Sequence, residues 1–405
     1  MLSVLDHQAE TSLLILLIGG LIVFSLLARW KLEQIGLPSL LGYLAFGFGL
    51  RLIDGLAPFL SHDVTVGLEH LAELGIVALL FRVGLRSDLS GLLRQLRKAR
   101  LIWFGNVLVS GLSGYVASRW LLDMPQIPSL FVGVALTATS VGVPVAVWTE
   151  AGRIQSDDGE LMLDVAELDD ISAVMLIALL LGVVPTLNTG NNGATLVVAI
   201  QTGGLLLLKF AVFGGICYFF AKYGERPMTR FFERIEPLPD SMLMVAGVAF
   251  MIAALAGLLG FSVALGAFFA GLIFSRDSLA RKLDTPFDSV HDLLTPFFFI
   301  GIGLHIEPGA FMTAVIPGAI LIAVAAGGKV VGTLAPAMTV VTRTSAWLLA
   351  VSMIPRAEIA MIVMDQGRQM GSWAVPPQLY AGMVLVCATT STVAPLALRR
   401  MLIRP

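Results

Sequence analysis

The stretch Leu161–Leu181 reads LMLDVAELDDISAVMLIALLL. It is apolar and long enough to cross a bilayer as one helix, yet it holds two adjacent aspartates, Asp169 and Asp170. At a rise of ~1.5 Å per residue, a helix starting near Glu160 carries Asp170 about 15 Å inward, the middle of a ~30 Å hydrocarbon core. One carboxylate at that depth costs roughly 3 kcal/mol, and two side by side also repel. Ionisable groups retained there mark, by default, a path for a cation or a proton.

The rest of the chain belongs in the same solvent. Its 405 residues are 57% hydrophobic and 13% charged, against about 25% charged in soluble domains. Mean hydropathy is +0.88. A net charge of −2 gives no reason to expect nucleic acid as a partner. Cys217 and Cys387 lie in apolar runs and suggest neither a disulfide framework nor a metal site. The N-terminus, MLSVLDHQAE, is acidic where a cleavable signal is basic.

The expected fold is therefore an all-α polytopic membrane protein of about 13 transmembrane helices. Apolar runs at 11–29, 37–53, 68–86, 100–121, 127–149, 160–186, 194–221, 240–259, 261–275, 290–306, 312–340, 344–367 and 376–398 each approach the ~20 residues a span needs. With the N-terminus outside and the C-terminus inside, 19 of the 26 Lys and Arg fall in inside loops and 3 in outside loops. The positive-inside rule selects that orientation.

The two halves share short motifs in one order. Gly42-Tyr-Leu-Ala-Phe-Gly47 parallels Gly266-Ala-Phe-Phe-Ala-Gly271, and Leu79–Leu85 parallels Phe298–Leu304. Glu150-Ala-Gly152 parallels Asp365-Gln-Gly367. Corresponding spans are seven apart, an odd number, so the second copy is inverted. Inverted repeats with a mid-membrane site at their interface are characteristic of secondary transporters. Spans 5 and 12 correspond, and both are interrupted, by Ala135–Pro144 and by Ser352–Ala360. Proline removes a helical hydrogen bond, and paired interruptions point to a transport site. Thr139 and Arg356 each fall about 18 Å into their spans, and Lys329 does so counted from a regular helix after Pro317, all close to the level of Asp169 and Asp170. Lys329 is the natural counter-ion for one aspartate.

The stretches Gly36–Leu44, Leu71–Phe81, Ala138-Thr-Ser, Leu168-Asp-Asp, Gly266–Leu272, Pro296–Leu304, Lys329 and Pro355-Arg-Ala-Glu carry a resemblance. Together they look like the monovalent cation:proton antiporters of the second, electrogenic family. That family includes NapA-type Na⁺/H⁺ antiporters and the membrane domains of Kef-type potassium systems. The resemblance implies inverted repeats with two crossed discontinuous helices and a homodimer. It also implies a dimerisation or scaffold part at 11–67 and 194–275, and an ion-transport core at 68–186 and 290–398. By the same likeness Asp170 is the main ion and proton carrier, and Asp169 pairs with Lys329. Thr139 and Ser140 contribute at the helix crossing, with Arg356 and Glu358 as supporting charges. Na⁺ at Asp170 and Asp169 is the expected metal, as cargo, and no cofactor is expected.

The sequence departs from the family pattern at Arg-Ala-Glu, usually Arg-Gly-Glu, and at Arg82 and Arg86 in span 3. The expected activity is exchange of cytoplasmic Na⁺ or Li⁺ for external protons across the cytoplasmic membrane, not enzymatic catalysis. A K⁺/H⁺ antiporter or Kef-like K⁺ efflux protein is the alternative. An intramembrane aspartyl protease is a remote one, since its two aspartates must face each other, whereas adjacent helical residues point about 100° apart.

Overall fold

The computed structural model describes residues 2–34, 37–86, 89–140, 142–188, 208–209, 211–235, 241–259, 261–275 and 278–403. Every regular element among them is helical. In chain order these are α1 (Leu2–Gln34), α2 (Ser39–Leu56), α3 (His62–Arg86), α4 (Leu89–Val116), α5 (Gln126–Ala135), α6 (Gly142–Glu150), α7 (Asp157–Asn188), α8 (Glu225–Ile235), α9 (Ser241–Leu258), α10 (Val263–Phe274), α11 (Ser278–Leu304), α12 (Pro308–Ala337), α13 (Arg343–Ser352), α14 (Glu358–Met370) and α15 (Pro377–Ile403). A chain in hydrocarbon must satisfy its backbone internally, which is why apolar runs become helices. Pro308 and Pro377 each open a helix, where the missing N–H is not needed. Ser262 and Thr342 cap α10 and α13 by accepting from Ala264 N and Ser345 N. Gly152, at φ +66°, ends α6 in the left-handed conformation that glycine adopts without strain.

Among the described residues, eight helices are long and apolar enough to cross a membrane. The difference from thirteen spans has local causes. Spans 5 and 12 are each divided into two helices, and spans 8 and 9 are the shorter apolar helices Met242–Leu258 and Val263–Phe274. Most of span 7, at 194–207, lies outside the described residues, as do Gly36, Val141, Arg276 and Arg404.

The chain divides into two compact units. The first comprises Met1–Asp88 and Leu207–Pro308, the second Leu89–Leu206 and Gly309–Pro405. The expected transport core, 68–186 and 290–398, draws residues from both units. Helices α3 and α11 pack within the first unit, where glycines let the backbones come into contact. A Cβ on Gly84 would strike Phe268 O and lie 3.0 Å from Gly271 Cα, and one on Gly47 would strike Ile300 O and lie 3.0 Å from Gly303 Cα. A Cβ on Gly75 would lie 2.6 Å from Leu294 O. The two arginines that depart from the family pattern are matched in the same unit. Arg82 donates to Asp288 and bonds His291 Nδ1 at 2.9 Å, and Arg86 lies 4.0 Å from Asp288.

In the second unit, α6, α7, α13 and α15 share an apolar core that includes Trp148, Met162, Val165, Leu349 and Leu398. Helices α4 and α12 approach through Gly105 and Gly332, where a Cβ on either would lie 2.8 Å from the other's carbonyl oxygen.

These contacts predict a graded response. Gly84→Ala must push α3 from α10 and is expected to cost about 1–3 kcal/mol, the usual range for overpacking. Gly49→Ala, where a Cβ meets nothing within 4 Å, is expected to be neutral. Thermal unfolding in detergent, followed by size-exclusion chromatography, reads both; equal melting temperatures for the two variants would refute the contact.

Candidate ion-binding site

Two interruptions build the site. Helix α5 stops at Ala135, residues 136–140 are not helical, and α6 begins at Gly142. Helix α13 stops at Ser352, 353–357 are not helical, and α14 begins at Glu358. The first break starts nearer the N-terminus than proline alone suggests. Pro144 sits in the first turn of α6, where it needs no N–H. Each break leaves carbonyls and N–H groups without helical partners, and the two supply each other. Ser140 N donates to Pro355 O at 2.9 Å. Lys329 Nζ donates to Thr137 O at 2.7 Å, and Arg356 Nη1 donates to Ala138 O. Two cations thus sit on the carbonyls past the C-terminal end of α5, the negative end of its dipole. Glu358 opens α14, at the positive end of that helix.

Helix α7 brings the carboxyls to this point. Asp169 and Lys329 are both 0% exposed. Oδ2 of Asp169 accepts from Lys329 Nζ at 2.7 Å, from Thr139 Oγ1 at 2.7 Å and from Asn106 Nδ2. Its other oxygen, Oδ1, accepts nothing. Asp170 is buried next door with its Oδ1 also unengaged. Its electrostatic neighbours are Glu358, Asp169, Glu167 and Lys329. Ser140 Oγ donates to Glu358 Oε2 at 3.2 Å. Charges out of water hold only when paired and hydrogen-bonded, and removing one partner of such a pair costs about 3–5 kcal/mol.

All seven sequence-derived candidates, Thr139, Ser140, Asp169, Asp170, Lys329, Arg356 and Glu358, fall within the second unit at or beside the two breaks. Three contributors had not been singled out. Thr390 Oγ1 accepts from Arg356 N at 3.1 Å, and Ser391 Oγ donates to Arg356 O at 2.7 Å; both lie on α15. Asn106 is the third. Its signal was a lone amide after a glycine in the apolar run LIWFGNVLV, 101–109. Asp365, an aspartate of span 12, accepts from Arg368 Nε at 3.0 Å and Gln369 Nε2 at 2.9 Å. It forms no dyad with Asp169 or Asp170. Both cysteines are buried free thiols.

The high-affinity Na⁺/H⁺ antiporter NhaS3 of Synechocystis is 28% identical over 334 residues, covering 81% of this chain and 70% of that protein. A Na⁺/H⁺ antiporter of Enterococcus hirae is 25% identical over 372 residues, covering 91% and 92%. The glutathione-regulated potassium-efflux protein KefC of Klebsiella pneumoniae is 29% identical, but the match covers 43% of its length. Among solved structures, the sodium proton antiporter MjNhaP1 of Methanocaldococcus jannaschii superposes with a TM-score of 0.66, covering 96% of both chains at 16% identity, which speaks to fold. The family model for the sodium/hydrogen exchanger transmembrane region matches residues 22–404. With a match over nearly its whole length, the chain belongs to the sodium/hydrogen exchanger transmembrane family.

Proposed function

We propose that the protein is a Na⁺(Li⁺)/H⁺ antiporter of the cytoplasmic membrane that works by alternating access. The observation that carries this reading is the buried Asp169–Lys329 pair beside Asp170 at two mutually satisfied helix breaks. Of the ionisable groups there, Asp169, Asp170 and Glu358 are acids and Lys329 and Arg356 are bases. Glu167 is a further acid among the electrostatic neighbours of Asp170, so the fully charged set is negative in excess, and monovalent cations and protons both offset that charge. That equivalence is the basis of exchange. Na⁺ entering from the cytoplasm takes Asp170 and Asp169 and displaces protons, breaking the Lys329 pair; facing outward, the site is reloaded by protons and releases Na⁺. Thr139 and Ser140 hold the carboxyls at the crossing.

In this reading the second unit carries the ion and the first supplies scaffold and homodimer contact, with the N-terminus outside and the C-terminus inside. Reciprocal contacts support an inverted repeat: Gly47 meets Gly303, and Gly84 meets Gly271, which pairs span 2 with span 10 and span 3 with span 9. The NhaS3 and Enterococcus hirae relatives are named Na⁺/H⁺ antiporters, which supports Na⁺ as cargo. GerN of Bacillus cereus, 25% identical over 367 residues, is named a Na⁺/H⁺-K⁺ antiporter, so K⁺ is the competing cargo.

Asp170→Asn is expected to abolish cation-driven proton flux in proteoliposomes, with insertion and oligomeric state retained, because only the ionisable group is lost. Flux near the wild-type rate would sink the assignment. Adding Na⁺, Li⁺ and K⁺ in turn to the wild type is expected to drive flux with the first two, and flux with K⁺ alone would move the reading to a K⁺/H⁺ exchanger.

Lys329→Gln leaves Asp169 without its counter-ion. The variant is expected to lose about 3–5 kcal/mol of stability and to alter the charge moved per cycle. Both are measurable, by thermal unfolding and by the response of flux to an imposed potential. A variant with wild-type melting and wild-type potential dependence would show that the pair contributes to neither.

A further inference from the structure

Asn106 is 0% exposed and stands on α4 among Leu, Ile, Trp, Phe and Val residues. Packing alone calls for an apolar side chain there. Its amide instead donates to Asp169 Oδ2, while its own Oδ1, also buried, has no hydrogen-bond partner. The backbone fixes this position firmly, since a Cβ on Gly332 would lie 3.1 Å from Asn106 Cα and 2.8 Å from Gly105 O. Asn106, Thr139 and Lys329 thus place three donors on one oxygen of Asp169 and none on the other.

Resting on the antiporter reading, we propose that Asn106 is a positioning residue that sets cation affinity. It clamps Asp169 by the Oδ2 edge, so that Oδ1 stays presented to the transported ion. The division of labour follows from chemistry. The Lys329 ammonium only donates, and it must let go when a cation or a proton occupies the carboxyl. An amide donates from nitrogen and accepts at oxygen, and a hydroxyl does both. Asn106 and Thr139 therefore keep Asp169 oriented after the ammonium has been displaced, whether the carboxyl is ionised or protonated. Without Asn106 the carboxylate is free to rotate and to offer both oxygens to Lys329, and the arriving cation competes against a stronger pair. The effect falls on binding more than on turnover.

The test uses the full-length protein in proteoliposomes, wild type beside Asn106→Leu and Asn106→Asp, titrated with NaCl and LiCl at several pH values. Loss of one hydrogen bond to a charged group is worth about ten- to a hundredfold. In Asn106→Leu the cation concentration for half-maximal flux is expected to rise at least about tenfold, and the maximal rate is expected to fall by a smaller factor. Asn106→Asp provides the second arm. As a protonated acid it is nearly isosteric with asparagine and restores a donor; ionised, it repels Asp169. Its half-saturation relative to wild type is expected to recover as pH falls, whatever the folding of the leucine variant. Equal half-saturation in wild type and Asn106→Leu, or an Asn106→Asp defect that does not change with pH, would overturn the proposal while leaving antiport intact. A wild type without cation-dependent proton flux would overturn the antiporter reading, and this proposal with it.

Discussion

The second unit depends on one constraint: two pieces of backbone that have left the helical hydrogen-bond pattern must satisfy each other in a region that water does not supply. Each unpaired N–H or C=O in hydrocarbon costs several kcal/mol. One broken helix alone would leave several such groups. Two breaks placed together, with Ser140 N on Pro355 O and with Lys329 and Arg356 on Thr137 O and Ala138 O, remove most of that cost. The cations that heal the backbone also set the charge of the carboxyls beside it. Structure and ion chemistry share the same two side chains.

That sharing explains why the surrounding helices are held so firmly. Thr390 and Ser391 on α15 grip the main chain of Arg356, and Trp148 Nε1 donates to Ser352 Oγ at 2.9 Å, tying α6 to the end of α13. At one end of the unit, Arg399 pairs with Glu150, and Ser345 Oγ donates to Asp158 Oδ2 at 2.7 Å. A buried charge pair tolerates little looseness, because any gap leaves a charge partly unpaired in a low dielectric.

Much of this was legible in the sequence, because membranes penalise polar groups so heavily that the survivors stand out. Asp169, Asp170, Lys329 and Arg356 are conspicuous against their apolar runs, and the proline and glycine interruptions of spans 5 and 12 announce irregular backbone. The illegible parts share a cause. Asn106, Thr390 and Ser391 are uncharged and cheap enough to bury that they look like ordinary helix-packing residues. The allocation of α3 and α11 to a unit depended on which glycines meet, and a glycine's partner is not written beside it. The interruption at Ala135–Pro144 begins where the helix ends, but its last residues belong to the following helix, because a proline in a first turn needs no N–H.

Lys329 and Arg356 reach Thr137 and Ala138 through main-chain oxygens, which every residue type possesses. The electrically important acceptors at this break are therefore indifferent to the side chains that carry them. A substitution at 137 or 138 that keeps the backbone path keeps both acceptors in place. For these two main-chain contacts, a change of side chain at 137 or 138 neither makes nor removes the acceptor, whereas the Lys329 contact to Asp169 depends on both side chains.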